Sequence, residues 1–449
     1  MNRLTEFPYE NVLVLGLAKS GTAAARLLLD SGKHVRINDW KTNETDPVVS
    51  ELKTMGAEVI VGSHPVSVLD NIEVIIKNPG IPYSNPILEE AVNRGLPILT
   101  EIELAGLLAG NRMICITGSN GKTTTTTLIG EMLKNSNQSI QVAGNIGTAA
   151  SEIANKLQEN EQLVLELSSF QLMGIDKFNP HIAVLLNIFE AHLDFHGTFD
   201  NYMEAKANIV KNHKATDYFI YNADDAIVSK IAESTPSIKV PFSIHEEQLD
   251  GAWMDEDAVY FKKEKIINRK DIVLVGEHNL ENIMAAICAA KLSHASNEGI
   301  KKVLTSFAGV KHRLQFVEMI QGRFFYNDSK ATNMLATEKA LASFTKPTIL
   351  LAGGLDRGNE FTDLMPHLKQ VKAMIVFGET ANKLQKTAKE AGIKVIEHAE
   401  NVADAACKAF DISEAGDVIL LSPACASWDQ YKTFEQRGDM FIQAVHRLK

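Results

Sequence analysis

The chain has 449 residues, of which 45% are hydrophobic and 22% charged, with a formal net charge of −11. That length exceeds what one core organises and predicts two or three domains, while the acidic balance disfavours nucleic acid or an anionic membrane as the main partner. Four scattered cysteines without metal or disulfide spacing, no apolar run of membrane-span length and no signal-peptide core predict a cytoplasmic, soluble protein, expected as a monomer acting on small molecules.

The first predicted unit is a strand over Asn11–Gly16, a helix to about Asp30 and a strand over Val35–Asp39. This is a βαβ start. Its turn, Gly16-Leu17-Ala18-Lys19-Ser20-Gly21, approximates a dinucleotide fingerprint, but Ala18 fills the position where glycine lets the backbone approach a pyrophosphate. NAD(P) is therefore disfavoured; another nucleotide or diphosphate ligand and a plain Rossmann-like turn stay open. The apolar run Val74–Lys77 leads into Asn78-Pro79-Gly80, turn chemistry that ends a strand at the carboxyl edge of its sheet.

The strand-like run Met113–Ile116 opens the most informative segment, Thr117-Gly118-Ser119-Asn120-Gly121-Lys122-Thr123-Thr124, which passes into a predicted helix. Successive backbone N–H groups at a helix N-terminus favour a polyphosphate. Lys122 would reach the β- and γ-phosphates and the Thr123 hydroxyl would meet Mg²⁺. Ile116 replaces the first glycine of the usual eight-residue pattern, so the loop is the shorter G-x-x-G-K-T. Strands are expected over Leu163–Leu167 and Ile182–Leu186, a charged, irregular insertion with a hairpin over Ser237–Asp271, and a helix over 283–292. A third opening, Pro347–Gly354, is followed by strands over Ala373–Phe377 and Asp417–Leu421. Alternating strands and helices predict an α/β fold with parallel sheets. Boundaries are expected near residues 100 and 310, giving domains over 1–100, 101–310 and 311–449.

Several polar residues could carry chemistry. Glu166 ends an apolar strand, either as a buried acid needing a partner or as a Mg²⁺ ligand beside the phosphate loop. His192 follows the next strand, as a structural loop residue or a site residue. Lys206, on a helix with Ile209 and Val210, reads from spacing alone as a solvated lysine. Asn279 and Asn282 either cap the helix that follows or hydrogen-bond a base, and capping is favoured. Asn327–Asn333 is a polar turn or a polar site. Ser422–Asp429 is a small-residue loop before a helix, able to receive a carboxylate or merely to connect.

In their order along the chain these segments resemble the Mur ligase family. The Gly118–Thr123 loop is shared across that superfamily. Asn327-Asp328-Ser329-Lys330-Ala331-Thr332-Asn333 and Ser422–Asp429 with Phe434-Glu435-Gln436-Arg437-Gly438 point to its D-glutamate-adding members. The resemblance implies three domains: a Rossmann-like one for a UDP-sugar, a central P-loop ATPase and a Rossmann-like one for the amino acid. It implies that ATP phosphorylates the carboxylate of UDP-N-acetylmuramoyl-L-alanine and that D-glutamate attacks the acyl phosphate, in peptidoglycan precursor synthesis.

Roles follow by matching position. ATP and its magnesium would meet Gly118–Thr124, Asn279, Asn282, Arg313 and Asp328. Two Mg²⁺ ions would involve Thr123, Glu166, His192 and a carbamylated Lys206, with Lys122, His192, Lys206 and Lys330 at the chemistry. Gly16, Leu17, Ala18, Lys19, Asp39, Lys41, Asn78 and Gly80 would cradle UDP, and Asn145 the muramoyl part. Lys330, Thr332, Arg357, Ser427 and Phe434 would form the D-glutamate pocket. Three positions depart from the family's pattern: Met334 where proline is frequent, Arg357 where some relatives carry lysine, and Trp428 where leucine or phenylalanine is expected. Folate-type ligation and a non-catalytic nucleotide-binding regulator are the competing readings.

Overall fold

The computed structural model describes residues 2–448. Three sheets follow one another along the chain. The first has five parallel strands in the order Glu58–Val61, His34–Asp39, Asn11–Leu15, Val74–Lys77, Ile98–Thr100. Both faces are buried, which explains the near-continuous apolar runs. Val12, Val14, Val74 and Ile76 enter one core, and their neighbours Leu13, Leu15 and Ile75 enter the other.

The second sheet has nine strands. Six parallel ones run Ile238–Phe242, Tyr218–Asn222, Ile182–Leu185, Met113–Thr117, Gln162–Glu166, Ile140–Gly144. Beyond Ile238–Phe242 the sheet continues through Ala252–Met254, which pairs antiparallel with Ala258–Phe261, itself antiparallel to Glu264–Asn268. The stretch Ser237–Asp271, expected as an irregular insertion with a hairpin, thus holds the parallel strand Ile238–Phe242 and a three-stranded extension beyond it. The third sheet is parallel over Arg323–Asn327, Val418–Leu421, Thr348–Gly353, Val371–Phe377 and Val395–His398, with Gln315–Ile320 antiparallel at one edge. Its strands alternate like those of the first: Leu350, Met374 and Leu420 face one core, Ile349, Ile375 and Ile419 the other.

By contacts the chain forms two compact units. One runs to Asp271 and resumes over Glu281–Val303, holding the first two sheets; the other comprises Ile272–Leu280 and the chain from Leu304, holding the third. The helix Glu277–Leu292 belongs to both. It starts six residues earlier than expected, directly after Gly276, whose φ is +99°. Asn279 and Asn282 therefore lie within the helix, and the capping reading is corrected. No helix among the described residues is long and apolar enough to cross a membrane.

Candidate active site

In the first unit, the strand Met113–Thr117 is fully buried and delivers the glycine loop to the N-terminus of the helix Lys122–Lys134. Gly121 caps that helix at φ +85°, and a side chain there would overlap the Asn282 carboxamide oxygen. Only glycine meets both conditions without strain. Neighbouring loops fix the turn: Ser119 N donates to Asn187 O (2.9 Å) and Asn120 N to Asn187 Oδ1 (2.9 Å). Lys122 Nζ donates to the carbonyls of Gly118 (2.8 Å) and Ser119 (3.0 Å). Thr123 and Thr124 occupy the first turn, and Asn282 accepts from Thr125 Oγ1 at 3.3 Å.

Two buried ionisable groups flank this loop. Glu166 ends the neighbouring strand, only 2% exposed. Its Oε1 accepts from Asn145 Nδ2 (2.9 Å), while Oε2 has no hydrogen-bond partner among the described residues. Gly144, at φ +106°, lets the chain pass so close that a Cβ would overlap the Glu166 carbonyl oxygen. Lys206 is also only 2% exposed, correcting the solvated reading taken from spacing. Its Nζ donates to Gly118 O (2.7 Å) and lies 4.8 Å from the centre of the Tyr202 ring. Burial, with Lys122 adding to it, lowers its pKa to about 6, leaving the amine neutral near pH 7. The Tyr202 hydroxyl is 2.9 Å from Ser119 Oγ. His192 is exposed, holds a left-handed backbone (φ +54°) and packs edge-on against Phe170. Outside glycine such a backbone is uncommon, with asparagine, aspartate and histidine its more frequent exceptions.

An orphaned buried carboxylate oxygen beside a phosphate loop fits Mg²⁺. The described residues contain no cluster of three or more His, Cys, Asp or Glu able to hold a metal alone. Magnesium is commonly bound by one or two protein oxygens together with substrate phosphates.

A cavity of about 440 Å³ opens in the same unit, lined by Ala18, Lys19, Asn78, Gly80 and Asn145, with Glu101 in its wall. Burial raises the Glu101 pKa to about 6. Gly16, at φ +94°, donates to Asn38 O (2.8 Å). The Asp39 carboxylate accepts from the N–H groups of Leu17, Lys41 and Thr42. Burial pushes its pKa up, but these backbone donors outweigh it and hold the group below its usual range. Lys41 itself is exposed at the turn.

In the second unit, Asp328 is buried. Oδ1 accepts from Leu314 N (3.1 Å), Oδ2 from Ser422 Oγ (2.8 Å), and burial raises its pKa to about 7. Arg313 lies exposed one residue before Leu314, and Asn279 donates from Nδ2 to Val275 O (2.7 Å). Lys330 Nζ stands 5.1 Å from the centre of the Phe434 ring, and Thr332 N bonds Lys330 O. Ser427 Oγ is buried without a partner among the described residues. Arg437, fully buried, gathers three loops: it donates to Ser329 Oγ (3.0 Å) and O (2.8 Å), to Gly353 O (3.3 Å) and to Cys425 O (3.1 Å).

Sequence reasoning gave no role to Arg437, Tyr202 or Glu101. Glu101 carried a local signal, an acid opening the otherwise apolar helix Glu101–Ala109. The other two act through partners far away in sequence.

With this geometry in place, similarity adds a decisive observation. Residues 10–100 match the Mur ligase MurD-like N-terminal domain, 116–290 the Mur ligase middle domain, and 312–425 the Mur ligase glutamate ligase domain. The chain belongs to the Mur ligase family. It is 62% identical to the UDP-N-acetylmuramoylalanine–D-glutamate ligase of Oceanobacillus iheyensis and 57% identical to that of Bacillus mycoides, each covering 100% of both chains. Among solved structures it resembles a MurF ligase of Thermotoga maritima in complex with ADP. The TM-score is 0.55 at 20% identity, over 93% of this chain and 96% of that one. The expected α/β architecture with three Mur ligase domains therefore stands.

Proposed function

We propose that this Mur ligase joins D-glutamate to UDP-N-acetylmuramoyl-L-alanine at the expense of ATP, releasing ADP and phosphate, in peptidoglycan precursor synthesis. The observation that carries the reading is full-length identity of 62% to a ligase of that name. The phosphate loop, with buried Lys206 and the orphaned Glu166 oxygen beside it, supplies matching chemistry. Folate ligation and a non-catalytic role are correspondingly disfavoured. Domains over 1–100, 101–310 and 311–449 would serve the UDP-sugar, ATP and the amino acid. A reaction consuming ATP and a UDP-linked sugar would take place in the cytoplasm, where both are supplied.

A carboxylate is a poor electrophile, so the reaction needs a leaving group. An oxygen of the alanyl carboxylate attacks the γ-phosphorus of ATP and ADP departs, leaving an acyl phosphate. The D-glutamate amine then adds to the acyl carbon, loses a proton, and the tetrahedral species collapses to the amide with loss of phosphate. The loop N–H groups from Gly118 to Thr124 and the Lys122 ammonium receive the polyphosphate, with Asn279, Asn282, Arg313 and Asp328 assigned to the nucleotide. When bound, Mg²⁺ neutralises charge accumulating on the transferring phosphoryl group. Thr123, Glu166, His192 and Lys206 would hold it. For Lys206 this role requires carbamylation. The neutral amine favoured by its burial attacks CO₂ and loses a proton, putting an anionic oxygen ligand where the amine stood. The cavity holding Ala18, Lys19, Asn78, Gly80 and Asn145, together with Gly16, Leu17, Asp39 and Lys41, is assigned to the UDP-sugar. Lys330, Thr332, Arg357, Ser427 and Phe434 are assigned to D-glutamate.

Oxygen-18 tracing tests the route. With ¹⁸O in the alanyl carboxylate, one label should appear in each phosphate released, read by ³¹P NMR. Unlabelled phosphate would rule out the acyl phosphate.

A further inference from the structure

Two of the chain's departures from the family pattern, Arg357 and Trp428, meet each other in the second unit. The strands Thr348–Gly353 and Val418–Leu421 are parallel neighbours, and their carboxyl-end loops run together. Gly353 N donates to Pro423 O (2.9 Å) and Leu355 N to Ala426 O (2.9 Å). Gly354, at φ +151°, has no room for a Cβ, which would overlap the Ala426 carbonyl oxygen. Beyond this seam, Arg357 Cζ lies 5.1 Å from the centre of the Trp428 ring. The indole is 64% exposed, an unusual setting for so large an apolar group. Its neighbour Ser427 holds the unpartnered buried hydroxyl.

The carboxylates nearby are already engaged. Asp356 accepts from Gly358 N (2.8 Å) and Lys383 Nζ (3.0 Å), and Asp429 accepts from Glu379 N (3.2 Å). Among the described residues Arg357 makes no ion pair.

We propose that Trp428 is a positioning residue for Arg357. Its ring face holds the guanidinium so that the planar N–H edge is presented to a carboxylate of the amino-acid acceptor. A guanidinium against an aromatic face keeps its in-plane donors available for a bidentate carboxylate pair, whereas an ammonium has no such plane. The two departures then form one unit: the tryptophan stiffens the arginine, and the arginine needs the tryptophan to define its fork. This rests on the assignment of Arg357 to the acceptor pocket.

The test is steady-state kinetics in D-glutamate, with ATP and UDP-N-acetylmuramoyl-L-alanine saturating, for the parent, W428L, W428F, R357K, R357A and the double variant W428L/R357K. W428L should raise KM for D-glutamate about two- to fivefold, the scale of an exposed cation–π contact, with the KM values of the other substrates unmoved. W428F should recover most of the loss. In the double variant KM should match that of R357K alone, because the effect of Trp428 passes through the guanidinium. An unchanged KM in W428L, multiplying effects in the double variant, or equal losses for all three substrates would overturn the inference while leaving the function intact. An unchanged KM in R357A would instead remove the acceptor-pocket assignment beneath it.

Discussion

Lys206 and Asp328 show how burial dominates the chemistry of single residues. A lysine with its Nζ against the Gly118 carbonyl and its pKa lowered to about 6 is a neutral amine near pH 7 rather than a cation. If it works as a carbamate, Lys206→Ala should lose nearly all turnover yet regain part of it with acetate, whose carboxylate can occupy the vacated space. Full activity of the variant without additive would remove that role. Asp328 behaves in the opposite sense, its pKa raised to about 7 by burial from an ordinary value of 3.8. Between those values the folded state binds more protons than the unfolded state, so the contribution of Asp328 to stability is full below about pH 4. It is lost as pH rises towards 7. Asp328→Asn should therefore flatten the fall in urea-unfolding stability across that range, and parallel pH profiles for variant and parent would contradict the assignment.

At the scale of elements, the site depends on backbones that approach one another without side chains. The strand Ile140–Gly144 ends where Gly144 passes the Glu166 carbonyl at φ +106°. Gly144→Ala should cost about 1–3 kcal/mol, seen as a lower thermal midpoint, and should weaken turnover by displacing Asn145 and Glu166. A variant with the parent's midpoint would mean that the close approach is not required.

The central strands were legible because burial on both faces leaves runs without charged residues, as at Met113–Thr117 and Thr348–Gly353. The phosphate loop was legible because its glycines, lysine and threonine are adjacent in sequence. Less legible were features made by distant partners. Lys206 is buried by contact with a loop 88 residues away, and Arg437 by loops up to 108 residues away. The start of Glu277–Leu292 was missed because its polar first turn resembles a loop. Met334 in place of proline has a local explanation: Asn333 caps the helix Met334–Ala342, and the first helical position suits either residue.

At the scale of the whole molecule, three α/β parts make one enzyme. The first unit presents the phosphate loop and the cavity lined by Lys19, Asn78 and Asn145, and the second presents the loops gathered by Arg437. Such a division predicts strict dependence on three substrates, since neither ATP nor the sugar nucleotide alone completes the reaction. Phosphate release should be measured with Mg·ATP and UDP-N-acetylmuramoyl-L-alanine, supplying D-glutamate, L-glutamate or L-lysine in parallel. Turnover is expected with D-glutamate and none above background with the other two. Silence with D-glutamate alongside release with another amino acid or a folate substrate would contradict it.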